Sequence, residues 1–344
     1  MNRLLLVTLD YPPNRGGVAR YLGRLAEFLG DRLQVASSPS DLLGTVWPSW
    51  MKSVRLLIRR RGEYDIALVS HLLPLGTAAM VAGWITKKPY IVIVHGMDVR
   101  LASRNGWKRV LAGRILQGAR VVVANSSALA REVTARFAAS SVVVYPCVEN
   151  IETSLQTPRR EPHTFGILTV GRLVARKGHL SVLRALARLK QEGRIGAFRY
   201  DIVGDGPLRA EILQTADQLG VNEVMVHADT SDETLAEFYA GADLFVMPVL
   251  DDPIDKEGFG LVFLEAAAYG VPSVASRIEG VDEAVLDGQT GLLVKPGDVA
   301  ELANALARLV ADAAFRERLG LHARMRTKEE FTCAVQCKKL VPYL

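Results

Sequence analysis

Short, uninterrupted apolar runs punctuate the chain. In the first half they lie within "RLLLVTLD", "YDIALVS", "PYIVIVHG", "RVVVANS" and "SVVVYP". In the second half they lie within "TFGILTVGR", "FRYDIVGDG", "VMVHAD", "LFVMPV", "PSVASR" and "GLLVKP". Runs this brief, rich in β-branched residues and without polar alternation, predict strands buried on both faces and therefore parallel sheets. Between them stand segments with helical spacing, such as "VARYLGRLAEFLG" and "LSVLRALARLK". Two successive strand–helix series predict two doubly wound α/β domains, and 344 residues exceed what one ordinary core fills. The polar stretch "NIETSLQTPRREPHT", residues 150–164, carries two prolines and is the expected joint. Domains over 1–155 and 156–325 follow. Ligands of such sheets sit beyond the carboxyl ends of the strands, so a cleft between the two domains is the expected site.

One helical segment has a second possible use. In "WPSWMKSVRLLIRRRG", residues Trp47, Trp50, Met51, Val54, Leu57 and Ile58 fall on one helical face, with Lys52, Arg55, Arg59 and Arg60 spread over the others. The pattern suits a helix packed on the sheet and also an interfacial helix. Packing is the expected role, with the basic surface as a secondary contact for anionic membrane.

Composition narrows the class. A hydrophobic fraction of 49% and a charged fraction of 23% are those of a soluble globular protein. No apolar run approaches the roughly 18 residues of a membrane span. "LLLVTLD" is too short for the core of a secretory signal, and Asp10 ends it. Cys147, Cys333 and Cys337 suggest no disulfide framework and complete no metal site, so free thiols in a reducing cytoplasm are expected. Charge is divided unevenly. Residues 1–150 hold 20 Lys and Arg against 9 Asp and Glu, a surplus of +11; residues 151–344 hold 22 against 28, or −6. The first half is built to meet something anionic. Nucleic acid is not expected, because there is no zinc-finger spacing, aromatic RNA-binding signature or recognition helix. A phosphorylated ligand or an anionic membrane surface fits better.

Several strand-to-helix turns could carry chemistry. "DYPPNRGGVARY" places Gly16 and Gly17 before a helix opening near Val18, where bare backbone N–H groups suit an anion. An ordinary turn explains it equally well. "VGRLVARKGH" places Arg172 and Lys177 between a strand and a helix, a fork and a point charge suited to a diphosphate. A solvated basic loop is the plain alternative. His95 follows an apolar strand in "HGMDVR", where a structural histidine is the commoner case. The G-x-G of "VGDGPLRAEI" is weak alone. Asp251, Asp252 and Asp255 match no metal-ligand spacing and read as a solvated acidic loop. "DKEGFGLVFLEAAAYG", residues 255–270, sets Glu257 and Glu265 on either side of a Gly-Phe-Gly turn that enters a helix.

Taken in order, "RGGVARY", "VVVANS", "VGRLVARKG", "VGDGPLRAEI", "EGFGLVFLEAAAYGVPSVAS" and "VLDGQTGLLVKPGD" resemble the glycosyltransferase family 4 enzymes. The resemblance covers nearly the whole chain and is strongest over residues 168–298. It implies a GT-B fold, two Rossmann-like doubly wound domains facing a central cleft. The first is the acceptor side and the second the nucleotide-sugar donor side, with residues 326–344 crossing back to pack on the first. It implies retaining, metal-independent transfer of a hexosyl group from a UDP- or GDP-sugar to a glycan, lipid-linked or other acceptor, in cell-surface polysaccharide or glycoconjugate synthesis. No cofactor is implied, since the nucleotide-sugar is a substrate.

The resemblance also implies roles. Arg172 and Lys177 hold the donor's diphosphate, and Gly16 and Gly17 face the same phosphates. Glu257 lies near the transferred sugar, Glu265 accepts from the ribose hydroxyls, and His95 contacts the sugar near the reacting centre. Gly258, Phe259, Gly260 and Leu261 form the donor-binding turn and helix start. The leaving phosphate itself would take the acceptor's proton on the same face. Three departures stand out: "PCVEN" where the family has "PNGVD", "EGVDE" (residues 279–283) where it has "GGxPE", and Cys333 in place of a tail tryptophan. The alternatives are an epimerase or phosphorylase of the same fold, or a non-catalytic sugar-nucleotide-binding partner of a transferase complex. No pyridoxal-phosphate lysine signature supports the phosphorylase, and the joint presence of Glu257, Glu265, Arg172, Lys177 and His95 speaks against the non-catalytic partner.

Overall fold

The computed structural model describes residues 2–14, 16–149, 164–252 and 255–344. The expected joint at 150–164 lies almost wholly outside them. The chain divides into two compact units, Met1–Cys147 with Phe331–Leu344, and Val148–Glu330.

The first unit is built on a parallel sheet of order β2-β1-β3-β4-β5-β6, with β1 Leu4–Val7, β2 Leu33–Ala36, β3 Ile66–Ser70, β4 Tyr90–Val94, β5 Val121–Ala124 and β6 Val142–Val143. Alternate residues face opposite cores. Leu5, Val7, Val69, Val92 and Val94 join one; Leu4, Leu6, Leu68, Ile91 and Ile93 join the other. Each such side chain, fully buried, contributes about 1.5–3 kcal/mol, which is why the strands tolerate no polar alternation. The connecting helices are α1 (Gly17–Leu29), α2 (Met51–Arg59), α3 (Thr77–Thr86), α4 (Met97–Ser103), α5 (Gly106–Gly118) and α6 (Ser127–Phe137).

Strand β2 is absent from the pattern of apolar runs. It is an edge strand with Gln34 exposed, so burial does not demand a continuous apolar sequence. α2 takes the packing role, burying Val54 and Leu57 in the core. Trp47 departs from the expected stripe. It stands outside the helix and 89% exposed, because the residue before Pro48 is sterically disfavoured in helical conformation.

The second unit repeats the plan with order β12-β11-β10-β7-β8-β9, all parallel. Its strands are β7 Phe165–Val170, β8 Phe198–Val203, β9 Val224–His227, β10 Leu244–Met247, β11 Ser273–Ser276 and β12 Gly291–Val294. Its helices include α7 (His179–Gln191), α8 (Arg209–Gln218), α9 (Asp232–Ala240), α10 (Leu261–Ala268), α11 (Val299–Ala311) and α12 (Ala313–Glu330). From β7 the chain adds strands on one side through β9, then returns to build β10–β12 on the other. β7 and β10 therefore flank the switch point, where open α/β sheets leave a crevice.

The tail forms α13 (Cys333–Lys338) and belongs to the first unit. Cys337 and Leu340 enter the core face that holds α1, and Gln336 Oε1 accepts from the Tyr145 amide at 3.1 Å. This packing corrects the expectation of three free thiols. Cys333 is brought against Cys147, their Cα atoms 4.9 Å apart, and the two form a disulfide; Cys337 alone is free, and buried. Spacing could not reveal a pair separated by 186 residues.

Candidate active site

β7 ends at Val170 and enters a tight turn that includes the 3-10 segment Ala175–Lys177 before α7 begins. Gly178 closes that turn at φ 76°, and a Cβ there would stand 2.1 Å from the carbonyl oxygen of Pro248. Only glycine lets this turn lie against the segment after β10. The Leu250 amide completes the junction, donating to the Arg176 carbonyl at 2.7 Å.

Four charged side chains meet at this junction. Glu257 Oε2 accepts from Lys177 Nζ at 2.7 Å and from Arg176 at 2.5 Å. Arg176 also donates through Nε to Asp255 at 2.8 Å. The side chains of Lys177, Arg176 and Glu257 are only 9%, 13% and 13% exposed. Burial alone would raise the Glu257 pKa, but Lys177 and Arg176 outweigh it and hold the carboxyl at about 2. Glu257 is therefore ionised at neutral pH.

The chain then turns through Gly258, Phe259 and Gly260 into α10. Gly260 has φ 86°, and the helix has no side-chain cap; the Phe263 amide donates to the Gly260 carbonyl at 3.0 Å, which leaves the N–H groups of Leu261 and Val262 to solvent or an anion. Phe259 and Leu261 point into the protein, 1% and 8% exposed, and anchor the turn. Gly280, from the divergent "EGVDE" loop, would place a Cβ 2.3 Å from the Gly258 carbonyl oxygen, so that loop abuts the turn through Gly258 and Gly260. Glu265 is 6% exposed and accepts from the Tyr239 hydroxyl at 2.9 Å.

The expected cationic pair is split. Lys177 is committed to Glu257, whereas the Arg172 side chain is exposed. The Arg172 carbonyl accepts from Nε2 of the buried His179 at 3.3 Å, which fixes the backbone that presents it. Motif reasoning missed Arg176 because it read the Arg-x(4)-Lys spacing and passed over the residue between. The adjacent cations of "ARKG" were the available signal. Asp255, expected in a solvated loop, is instead a partner of Arg176.

In the first unit, His95 follows β4. Its amide and those of Gly96 and Val99 all donate to Asp98 Oδ1, forming a compact turn around Gly96 at φ 102°. His95 Nε2 lies 2.7 Å from Ser70 Oγ. Its pKa is pushed down to about 4, chiefly by burial and further by His71, against the opposing charges of Asp98 and Asp10. His71 sits at φ 79°, an unfavourable backbone region for a non-glycine residue, with its ring 6.0 Å from that of His95. Its Nε2 is 3.9 Å from Asp10. β1 and β3, which run into the segments holding Asp10 and His71, flank the switch point of this sheet. The sequence reading missed this pair. Gly16 and Gly17 are exposed, and a Cβ on either would meet nothing within 4 Å. The N-terminus of α1 is thus bare and uncapped. Among the described residues, no group of three or more His, Cys, Asp or Glu could hold a metal ion.

The model of the family described as glycosyl transferases group 1 matches residues 151–326, and that of glycosyltransferase family 4 matches residues 30–150. The chain belongs to glycosyltransferase family 4. A relative from Mycolicibacterium smegmatis, a GDP-mannose-dependent alpha-(1-6)-phosphatidylinositol monomannoside mannosyltransferase, is 31% identical over 93% of this chain and 92% of its own. A D-inositol 3-phosphate glycosyltransferase from Pseudarthrobacter chlorophenolicus is 29% identical over 84% of this chain and 73% of its own. Among solved structures, Anabaena HepE in complex with UDP and glucose superposes with a TM-score of 0.82. It has 20% identity, covering 99% of this chain and 98% of that one. The fold of this family 4 glycosyltransferase is GT-B.

Proposed function

We propose that the protein is a retaining hexosyltransferase using a GDP- or UDP-sugar, with the donor held in the second unit at the β7/β10 switch point. The observation that carries this is the meeting of Lys177 and Glu257 beside the uncapped start of α10. Breaking a sugar–phosphate bond develops negative charge on the departing diphosphate and positive charge on the sugar. Lys177, Arg172 and the α10 N–H groups are suited to the first, and the ionised Glu257 to orienting the sugar or countering the second. With these cations, transfer would need no metal. Glu265 would take the ribose hydroxyls, and Gly16 and Gly17 would leave room for the phosphates at the bare start of α1. His95, kept neutral, would serve as a hydrogen-bonding group near the reacting sugar rather than as a cation.

The named activity of the Mycolicibacterium relative makes GDP-mannose the first donor to try, and supports a lipid-linked acceptor in cell-surface glycoconjugate synthesis. The basic first half supports peripheral contact with anionic membrane; no helix among the described residues is long and apolar enough to cross one. The test incubates purified protein and a mannosyl-lipid acceptor with GDP-mannose, UDP-glucose and UDP-galactose, with and without EDTA. The product's anomeric configuration is read by NMR. Transfer with the donor's configuration kept, insensitive to EDTA and about 100-fold slower in Lys177→Ala, is expected. An inverted product or unchanged transfer in Lys177→Ala would overturn the reading.

A further inference from the structure

Glu257 has two cationic partners on one oxygen, and they are not equivalent. Lys177 is a point charge on a flexible stem. Arg176 is tied at three places: its carbonyl accepts from the Leu250 amide, its Nε donates to Asp255, and its Nη1 donates to Glu257. An anion arriving in the crevice can draw Lys177 away. Arg176 can follow only by abandoning the junction between the segments after β7 and β10.

We propose that Arg176 is a positioning residue that keeps Glu257 paired and oriented when Lys177 turns from it to the substrate's diphosphate. The proposal rests on the donor reading above. Without Arg176 the exchange would strand a buried carboxylate, whose loss of its last partner is strongly unfavourable. With Arg176 in place, Lys177 changes partners and Glu257 stays charged and fixed. Asp255 takes the Nε edge of the guanidinium and holds its plane. Among the described residues, Lys177 and Arg176, from the turn after β7, are the charges acting on Glu257, with Asp255 beyond Arg176 on the carboxylate's own loop.

Titration calorimetry with GDP and UDP near pH 6, in buffers of different ionisation enthalpy, separates the outcomes. In wild type, nucleotide binding exchanges only the protons of the nucleotide's own terminal phosphate, which sets the baseline. In Arg176→Gln, the departure of Lys177 forces Glu257 to protonate, so uptake rises above that baseline by up to one proton and affinity falls about 10-fold. Arg176→Lys restores part of both, and Asp255→Asn shows a smaller effect of the same sign. Unchanged uptake and affinity in Arg176→Gln would overturn the proposal. Loss of affinity with no proton uptake above that baseline would also overturn it, by making Arg176 a direct phosphate ligand.

A ligand-free arm compares the melting temperatures of Arg176→Gln, Lys177→Met and the double variant. The double variant should lose more than the sum of the singles, and the excess should vanish in a Glu257→Gln background. Additive losses would refute the shared hold on Glu257. Failure of wild type to bind either nucleotide would refute the donor reading and the exchange, while this second arm would still decide whether Arg176 holds Glu257.

Discussion

The hydroxyl of Tyr239 on α9 donates to Oε2 of Glu265 on α10 at 2.9 Å, joining two helices through a bond buried from solvent. Tyr239→Phe keeps the ring stacked on Tyr269 and removes only this oxygen. We expect a loss of about 1 kcal/mol, or roughly 2–4 °C in melting temperature for a unit of this size. If Glu265 receives the ribose hydroxyls, its looser orientation should raise donor KM a few-fold and leave kcat nearly unchanged, as loss of uniform binding does. Steady-state kinetics with the donor varied checks the split.

Acid should weaken the fold in two windows. His179 is 1% exposed, and burial, aided by nearby Lys177, pushes its pKa down from 6.5 to about 4 despite the bond to the Arg172 carbonyl. The unfolded chain binds that proton first, so the stability tied to neutral His179 is present above pH 6.5 and lost as pH falls toward 4. His95 behaves alike. Glu257 is depressed from 4.5 to about 2, so its contribution is full above pH 4.5 and lost as pH falls toward 2. Each group accounts for on the order of 2–3 kcal/mol. Melting curves from pH 8 to 3 should decline from about pH 6.5 in wild type. His179→Asn should flatten the first window, and Glu257→Gln the second.

Glycines in the site divide by physical need. Gly178→Ala would drive a Cβ into the Pro248 carbonyl, and Gly260→Ala would set one 2.5 Å from the Phe263 ring, both at positive φ. Each should lose at least about 2 kcal/mol and most donor binding, since each turn presents the charged cluster or the start of α10. Gly16→Ala faces open space at φ −72°. Its stability should change by less than about 0.5 kcal/mol. A rise in donor KM there, with an unchanged melting temperature, would mark a ligand's approach; equal KM would remove Gly16 from the site.

How much of this was legible beforehand follows from what each feature depends on. Strands β7 and β10 are written as continuous apolar runs because burial on both faces demands it, and the turns after them are written in glycine. β2 was not legible, since an edge strand with Gln34 outside needs no such run. Lys177 and Glu257 were legible as charged residues beside helix starts. Their 2.7 Å contact was not, because it joins residues 80 positions apart through the strand order. Arg176, Asp10 and His71 were lost for the same reason: nothing local tells a cation or histidine in a loop which neighbouring strand's loop it will face.

The proposed membrane contact is expected on the exposed apolar and basic surface of the first unit. α2, α3 and α5 bury their inner faces in the same core, which leaves Trp84 (63% exposed), Ile85, Trp107 (66%) and Val110 outside, and Arg59 and Arg61 are exposed as well. Arg60 is engaged with Glu63 and Gln34 and offers less. Vesicles with anionic lipid should bind wild type in a salt-sensitive way. Arg59→Gln/Arg61→Gln should weaken binding several-fold, and Trp84→Ser/Trp107→Ser should weaken it at all salt concentrations. Equal binding to neutral vesicles would argue against a charge-guided contact.

The tail offers a test that needs no substrate. Cys147 and Cys333 are paired, and burial raises the Cys337 thiol to about 12. Native protein should therefore resist alkylation. Denatured protein should show one reactive thiol without reductant and three with it, read by mass after iodoacetamide. Reduction should lower the melting temperature of the first unit, because the bond closes a long loop whose entropy the unfolded chain regains; losses of about 2–4 kcal/mol are typical. Cys333→Ser should reproduce that loss and become insensitive to reductant. Cys337→Ser should keep the response to reductant while losing buried contact. Three thiols in the denatured, unreduced protein would show that Cys147 and Cys333 lie side by side unbonded, and that noncovalent contacts such as those of Gln336, Cys337 and Leu340 hold the tail to the first unit.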